Sequence, residues 1–166
     1  RRDILPYTTL DAYASARENH HYTVRSIYSD TPRFTAYREK VEGVKVRKKL
    51  RVRSYNEGQN SSKVYLEIKS KVNQQGIKQR AQIPFHDLPA FFDSQDVDKF
   101  IPPGRNQAVW QGNAEKFLFH YIHHSMKPVV LVTYEREAYV GRFDWALRIT
   151  FDKHLRFLPF PGLTKL

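Results

Sequence analysis

Six cationic residues within an eleven-residue stretch offer the clearest chemistry in this sequence. The stretch reads Lys45-Val-Arg-Lys-Lys-Leu-Arg-Val-Arg-Ser-Tyr55 and contains no acidic residue. In a β-strand, alternate side chains share a face, so one face is apolar and the other carries Arg47, Lys49, Arg51 and Arg53. Neighbouring charges on that face lie about 7 Å apart and repel by about 2.4 kcal/mol at an effective dielectric near 20. A half-buried face of this kind needs a polyanion or partner carboxylates to offset the repulsion.

Isolated charges recur on later segments that also alternate like strands. They are Glu67, Lys69, Lys78, Arg80, Arg136 and Arg148. Arginine grips phosphate oxygens in pairs through its planar fork, whereas lysine acts as a point charge. Because phosphoryl transfer asks the protein mainly for positioning and charge stabilisation, such a set suits a phosphate chain. Glu67 has the oxygen ligands that magnesium and manganese prefer, but it is equally able to pair with a neighbouring arginine.

Six segments have the composition and alternation of β-strands, and they must position these charges. They cover residues 22–29, 45–55, 63–71, 77–83, 129–139 and 145–151. Turn-forming residues at 56–62 and 73–76 separate the second, third and fourth segments, which predicts three consecutive antiparallel strands. In the last segment, Trp145 alternates with apolar residues, which predicts that its side chain lies in the core. Trp110 is also expected to pack in the core.

Three segments carry helical signals, at residues 31–41, 88–92 and 114–126. The first places Phe34, Tyr37 and Val41 on one face, and Asn113 is a suitable N-cap for the third. A sheet closed on itself would collect the charged strand faces in its interior, with the helices packed outside. The sequence therefore predicts an α+β fold built on an antiparallel β-barrel.

The whole chain is basic, with 28 Lys plus Arg against 17 Asp plus Glu and a formal net charge of +11. This charge favours an anionic partner, but it does not choose among nucleic acid, a phosphate-rich small molecule and an acidic membrane surface. The sequence is 40% hydrophobic, has no cysteine and contains no apolar run of membrane-spanning length. It predicts one folded domain over residues 1–166 of a cytoplasmic protein, with no membrane segment.

An ordered set of motifs resembles the VTC domain, the polyphosphate polymerase domain of the vacuolar transporter chaperone family and its bacterial relatives. The motifs are Lys49-Leu-Arg-Val-Arg-Ser-Tyr55, Leu66-Glu-Ile-Lys69, Ile77-Lys78, Tyr134-Glu-Arg-Glu-Ala-Tyr139 and Arg148-Ile-Thr-Phe-Asp152. Before them, Ser26-Ile-Tyr28 and Asp30-Thr-Pro32 resemble the strand and helix entry of the family. The resemblance spans about residues 5 to 155, and its specificity lies in the order of the whole set.

This resemblance implies a triphosphate tunnel fold of the CYTH-like superfamily, an eight-stranded antiparallel barrel with a lumen that binds phosphate chains. Such domains transfer the terminal phosphate of ATP to a growing polyphosphate chain. The catalytic residues implied by the matching motifs are Arg51, Arg53, Lys69, Arg136 and Arg148. The implied phosphate-binding residues are these five together with Lys49, Lys78 and Tyr134.

The resemblance also implies a divalent metal, Mn²⁺ or Mg²⁺, with Glu67 as the candidate ligand in this sequence. The family's first strand is expected before this sequence, and a later strand with the main metal carboxylate is expected after Leu166. About six of the eight strands are then present, so the segment is expected to be truncated at both ends and catalytically incomplete alone. Ser29 stands where the family usually has Phe.

Two other functions fit the same residues. A triphosphatase of the same superfamily would hydrolyse the bound triphosphate and make no polymer. A nucleic-acid-binding module would turn the basic strand outward and stack bases on Tyr55 and Tyr65, although the resemblance predicts no nucleic-acid partner. Salt-sensitive binding is common to all three functions.

Three histidines, His120, His123 and His124, stand at helical spacings of three and four residues. This spacing puts them near one face and within reach of a shared metal ion. No glutamate of the H-E-x-x-H type accompanies them, so the sequence favours surface histidines over a metal site.

Overall fold

The computed structural model describes residues 2–56 and 63–166. In them lie seven strands: β1 (Thr8–Leu10), β2 (Tyr22–Asp30), β3 (Val46–Tyr55), β4 (Lys63–Val72), β5 (Gln75–Pro84), β6 (Lys127–Gly141) and β7 (Arg148–Pro159). The α-helices are α1 (Ala12–Ser15), α2 (Thr35–Val41), α3 (Leu88–Ser94), α4 (Val97–Phe100) and α5 (Gln107–His123). Short 3₁₀ helices cover Phe85–Asp87 and Leu163–Lys165.

The strands form one hydrogen-bonded order, β1-β6-β2-β3-β4-β5, with β7 paired to β6. The pairs β1–β6, β3–β4 and β4–β5 are antiparallel. The predicted class, α+β with an antiparallel sheet, is therefore confirmed. The described residues hold one strand more than the six predicted, because the three-residue β1 is too short to show alternation.

The chain divides into two compact units. The first comprises Arg1–Val24 and Thr133–Arg156, and the second comprises Arg25–Val132 and Phe157–Leu166. Three strands, β2, β6 and β7, run from one unit into the other. The single domain expected over residues 1–166 stays a prediction. No helix in the described residues has the length and apolarity needed to cross a membrane.

The core of the second unit lies on the apolar faces of β3, β4 and β5. As predicted, most of their alternating apolar residues are buried, among them Leu50, Val52, Val64, Leu66, Ile68, Ala81 and Ile83. Val46, at the start of β3, was expected on the same apolar face but is 57% exposed. Helix α5 packs on β4 and β5 and buries Phe117 and Leu118, while Trp110 packs at the margin of this core. This arrangement leaves the opposite faces of the three strands to their charged residues.

Two helices differ from the predictions. Helix α5 begins at Gln107 rather than Ala114, because its first two turns lack the apolar stripe that marks the later ones. Asn113 consequently lies inside the helix, where its side chain donates a hydrogen bond to the Arg80 carbonyl at 2.9 Å. The expected apolar face of α2 is not buried, since Phe34, Tyr37 and Val41 are all largely exposed.

The connection between β6 and β7 also differs from the prediction. Trp145 was expected in the core, but it lies in this connection and is 83% exposed. The connection closes tightly, because Leu147 N–H donates to the Asp144 carbonyl at 3.1 Å and Gly141 N–H donates to the Leu147 carbonyl at 2.9 Å. Strand β7 then begins at Arg148 and continues beyond the predicted end to Pro159.

The two predicted turns have different outcomes. Most of the turn at residues 56–62 lies outside the described residues. The turn after β4 is present, and Asn73 adopts a left-handed conformation there with φ of 56°. Asparagine tolerates this region better than most residues do.

Candidate functional site

The face of β3, β4 and β5 that points away from the core is strongly basic. The antiparallel registers place on it eight cations and one carboxylate, a set we call the basic face: Arg47, Lys49, Arg51, Arg53, Glu67, Lys69, Lys71, Lys78 and Arg80. The strand alternation that buries the apolar residues puts all nine on the same side. The chain thus places seven net positive charges on one face of a three-stranded sheet.

One row of the basic face contains only lysines. Lys49 is directly opposite Lys69, and Lys69 is directly opposite Lys78. Like charges facing each other across strands destabilise a sheet, by about 1 kcal/mol per pair at 5 Å in water and about 3 kcal/mol at a dielectric near 20. A bound anion would replace this repulsion with attraction.

The next row is neutralised in part by the buried carboxylate of Glu67, which is 1% exposed. Its Oε2 receives Nε and a terminal nitrogen of Arg51 at 2.7 and 2.6 Å. Its Oε1 forms ion pairs with Lys78 Nζ at 2.9 Å and Arg80 Nε at 3.3 Å. Three cations, from the two strands that flank β4, therefore share one carboxylate.

Burial and charge act in opposite directions on this carboxylate. Burial favours the neutral acid, but Arg51 and Lys78 outweigh it and hold the pKa of Glu67 below its ordinary value. The same ion pair affects Arg51. Burial alone would lower the pKa of its guanidinium, but Tyr28 and Glu67 outweigh burial and raise this pKa. Both groups are charged under ordinary conditions.

Neighbouring side chains fix the orientation of the arginines. Arg51 donates to the Tyr28 hydroxyl at 3.0 Å, and the buried Arg53 donates to Ser26 Oγ at 2.9 Å. The guanidinium of Arg80 lies 3.4 Å from the ring centroid of Tyr65. Cation–π contact of this kind holds the planar group against the ring. These arginines are positioned before any ligand arrives.

A cavity of about 360 Å³ opens over one end of the basic face. Its lining includes six cations and, among the described residues, no carboxylate: Lys40, Arg47, Lys49, Arg51, Lys69 and Lys71. We call this the basic cavity. Lys40 reaches it from α2, and the other five come from β3 and β4. The six cations exceed what the buried Glu67 beside Arg51 offsets, so the cavity is suited to a multiply charged anion.

A second cavity, of about 370 Å³, adjoins the basic cavity and is mostly apolar. Tyr28, Lys40 and Lys49 line both cavities, and the remaining walls come from residues such as Phe34, Tyr37, Val129, Val130 and Val132. Ser29 also lines it, and its buried hydroxyl has no hydrogen-bond partner in the described residues. We call this the apolar cavity.

The remaining predicted residues lie in the first unit, and the two predicted arginines there, Arg136 and Arg148, each have an aspartate partner. Arg136 grips Asp152 with two bonds of 2.8 Å and donates to the Tyr134 hydroxyl at 3.1 Å. The hydrogen bonds to Asp152 raise the pKa of Arg136. Arg148 pairs with Asp11 at 2.9 Å. A phosphate that bound either arginine would have to compete with its carboxylate.

The donor set does not fit the divalent metal that the resemblance implies. Both oxygens of Glu67 already face cations, and a metal ion there would meet the surrounding positive charge. Among residues 2–56 and 63–166, no group of three His, Cys, Asp or Glu side chains is arranged to hold a metal ion. His120, His123 and His124 therefore do not form such a group either.

The structure thus brings together part of the predicted site. Lys49, Arg51 and Lys69 line the basic cavity, while Arg53 and Lys78 lie on the basic face outside its lining. The motifs did not mark Lys40, Arg47 or Lys71 as site residues. Alternation alone places Arg47 and Lys71 on the basic face, whereas nothing in the sequence connects the helical Lys40 to it.

Comparisons with known proteins support these observations to different degrees. A family model described as the VTC domain matches residues 1–160. No curated protein matches the chain. A crystal structure of a proposed adenylate cyclase from Bacillus halodurans aligns with a TM-score of 0.42 and 11% identity, over 81% of this chain and 69% of that one. That likeness is too distant to carry an argument.

Proposed function

Because this chain belongs to the VTC domain family, we propose that it binds ATP and polyphosphate through their phosphates in the basic cavity and serves the transfer of phosphate to a growing chain. The observation that carries the proposal is the cavity lining, with six cations and no carboxylate among the described residues. One member of the lining, Arg51, pairs with a carboxylate outside it, Glu67, while Arg136 and Arg148 each pair with an aspartate.

The residues of the basic face have distinct roles in this proposal. Lys49, Lys69 and Lys71 supply mobile point charges to the phosphate oxygens, and Arg47 and Arg51 supply planar donors. Glu67 is a positioning residue, because it holds Arg51, Lys78 and Arg80 and does not line the cavity. A fixed arrangement of donors stabilises developing charge without reorganising during the reaction.

The transfer breaks one bond and forms another at the terminal phosphorus. The bond to the bridging oxygen of ADP breaks, and the terminal oxygen of the acceptor chain bonds to the same phosphorus atom. Negative charge on the non-bridging oxygens is what the cations of the basic cavity would stabilise. When bound, a divalent metal would neutralise further phosphate charge, but the described residues provide no fitting ligand set for it.

The apolar cavity supports ATP, rather than polyphosphate alone, as a ligand. It shares Tyr28, Lys40 and Lys49 with the basic cavity, so a ligand that fills both needs a charged chain joined to a less polar group. The unpartnered Ser29 hydroxyl is available to hydrogen-bond such a group. A nucleoside triphosphate has this composition.

Base stacking on Tyr65, the basis of the nucleic-acid alternative, is not favoured. Arg80 lies against one face of the Tyr65 ring, and Tyr55 meets Tyr65 edge to face with ring centroids 5.8 Å apart. These contacts leave little of the ring open to a base. The geometry therefore favours a phosphate chain in the basic cavity over single-stranded nucleic acid.

The test is tripolyphosphate binding by isothermal titration calorimetry. The double variant Lys49→Met/Lys69→Met removes two cations from the basic cavity, and we expect it to weaken binding by about tenfold or more, since bonds to charged groups contribute about 1.5–3 kcal/mol each. The matched control, Lys116→Met/Lys127→Met, removes the same charge from exposed positions outside the cavity lining. Equal losses in the two variants would show that only net charge matters and would overturn the proposal.

The reaction is tested separately by incubating the chain with ATP and a divalent metal. Transfer predicts that polyphosphate and ADP accumulate together, whereas a triphosphatase would release phosphate without polymer. Adding single-stranded oligonucleotide in excess should not displace tripolyphosphate. Displacement at low oligonucleotide concentration would favour the nucleic-acid alternative.

A further inference from the structure

A third cavity, of about 220 Å³, lies between α2, β3 and the end of α5. It uses the side of β3 that carries Lys48, opposite the basic face. Its polar lining residues on that side are Thr31, Thr35, Glu39, Lys48, His120 and His124. Arg47 lines both this cavity and the basic cavity. We call it the histidine cavity.

The contact between Lys48 and His120 fixes the protonation of the imidazole. Lys48 Nζ lies 3.1 Å from His120 Nε2. Because an ammonium group only donates, Nε2 accepts this hydrogen bond and the neutral ring carries its proton on Nδ1. Nδ1 is buried and has no hydrogen-bond partner in the described residues. The cluster therefore contains a donor that lacks an acceptor, which is costly in a folded protein.

Positive and titratable groups surround His120. Lys48 and Arg47 face it from β3, His123 and His124 belong to its own helix, and Glu39 on α2 is the one carboxylate among the described residues that line the cavity. The His120 and His124 rings stack with centroids 5.9 Å apart. Burial and then the charges of Lys48, His124 and His123 lower the pKa of His120. An anion in the histidine cavity would offset the positive charges of these groups.

The two threonines supply a further donor. Thr31 Oγ1 accepts the Thr35 backbone N–H at 3.1 Å, and the two hydroxyl oxygens lie 2.7 Å apart. One hydroxyl hydrogen occupies the bond between the two oxygens. The second hydroxyl hydrogen is then left to donate to another acceptor. Lys48 has N–H groups beyond the one donated to His120, and His120 Nδ1 and this hydroxyl each have a hydrogen to donate. An oxyanion provides the acceptor oxygens that these donors need.

We propose that the histidine cavity binds a tetrahedral oxyanion of the phosphate class through Lys48, His120, His124 and the Thr31–Thr35 hydroxyl pair. A metal ion is not a suitable occupant, because Lys48 places its positive charge at the Nε2 atom that would ligate it. Apolar wall residues such as Val46, Leu50 and Met126 restrict the space to a small ligand. Arg47 links this site to the basic cavity, so the ligand is either free phosphate or one end of a bound chain.

The experiment measures orthophosphate binding to the whole chain by calorimetry at about pH 6, where a bound anion would favour the protonated form of the histidines beside it. We expect Lys48→Met to weaken this binding by about tenfold, because the variant loses a charged hydrogen-bond donor, while tripolyphosphate affinity stays within about twofold. Lys49→Met, one residue away and on the basic face, should do the reverse. Orthophosphate binding that Lys48→Met leaves intact, or that Lys49→Met alone removes, would overturn the proposal.

Sulfate is the ligand for measuring the pH dependence of binding, because this dianion keeps its charge over the pH range compared. We expect it to bind more tightly at about pH 6 than at about pH 8, with proton uptake shown by calorimetry in two buffers of different ionisation enthalpy. His120→Gln should remove most of the uptake, and binding without proton uptake in the original chain would contradict the assignment.

If tripolyphosphate also loses affinity in Lys48→Met, a chain end rather than free phosphate occupies the cavity. Because the basic cavity is assayed separately with tripolyphosphate, failure here would leave the proposed function standing.

Discussion

Two nitrogens of Arg51 converge on a single oxygen of Glu67, at 2.6 and 2.7 Å, across the directly paired strands β3 and β4. The carboxylate is almost completely buried, and its other oxygen serves Lys78 and Arg80. One acidic residue therefore holds three cations of the basic face, one of which, Lys78, belongs to the lysine row. Lys49 and Lys69 of that row line the basic cavity, where the described lining residues include no carboxylate.

Replacing Glu67 with glutamine should destabilise the fold by about 3 kcal/mol, since removing one partner leaves a buried charge without compensation. Urea unfolding followed by circular dichroism measures the change. Glu115→Gln, at an exposed position on α5, is the matched control and should change stability by less than about 0.5 kcal/mol. A Glu67→Gln protein as stable as the control would show that the ion pairs add nothing to the fold.

The contribution of Glu67 should depend on pH in a defined direction. The arginine and lysine partners hold its pKa below the ordinary value of 4.5, despite burial. A lowered carboxyl pKa gives stability that is complete above the ordinary value and is lost as the pH falls through the lowered one. The difference in unfolding free energy between the original chain and Glu67→Gln should thus be constant above pH 4.5 and shrink below it. A difference that already shrinks between about pH 7 and 6 would contradict this linkage.

Filling the apolar cavity should separate ATP binding from tripolyphosphate binding. In Val130→Trp, the larger side chain would occupy the apolar cavity that Val130 lines, so we expect ATP affinity to fall by about tenfold, equal to about 1.4 kcal/mol. Tripolyphosphate affinity should be unchanged. Ser29→Ala removes the unpartnered hydroxyl without filling the cavity and should retain the fold. Equal losses for both ligands in Val130→Trp would place the nucleoside elsewhere.

Gly141 should not tolerate a side chain. A Cβ atom there would collide with the Asp144 carbonyl oxygen and lie 3.1 Å from Leu147 Cβ. Gly141→Ala is therefore expected to lower the melting temperature, with a cost of about 1–3 kcal/mol typical of overpacking. Gly112→Ala is the matched control, because nothing lies near its Cβ position and alanine is the better helix former. A Gly141→Ala protein with unchanged stability would mean that the connection after β6 moves at no cost.

Local alternation was sufficient to predict the three strands of the basic face. Leu50, Leu66 and Ala81 are buried on the face opposite the charged residues, and the same alternation orients Arg51 and Glu67. The sequence left open whether Glu67 ligates a metal or pairs with arginine. That choice depends on the cross-strand register, which places Arg51 and Arg80 on either side of the carboxylate.

Tertiary contacts explain what the sequence did not predict. Lys40 reaches the basic cavity only because α2 packs beside β3, and no local pattern records that contact. Trp145 has apolar neighbours at alternate positions, but the tight connection around Gly141 ends the strand pattern before it reaches this residue. Arg53 and Arg51 are likewise more structural than their motif implies, so alanine at both positions would disturb folding as well as ligand binding.

The lysine row has a consequence for judging whether a preparation has folded correctly. A slip of two residues between β3 and β4 would keep every apolar side chain on its buried face, so helicity and strand content would change little. It would, however, set Glu67 opposite Lys49 or Arg53 instead of Arg51 and would dissolve the alignment of Lys49 with Lys69. If tripolyphosphate binds as proposed, its affinity would report the register of the hairpin, and the fraction of molecules that bind it would measure the correctly paired population.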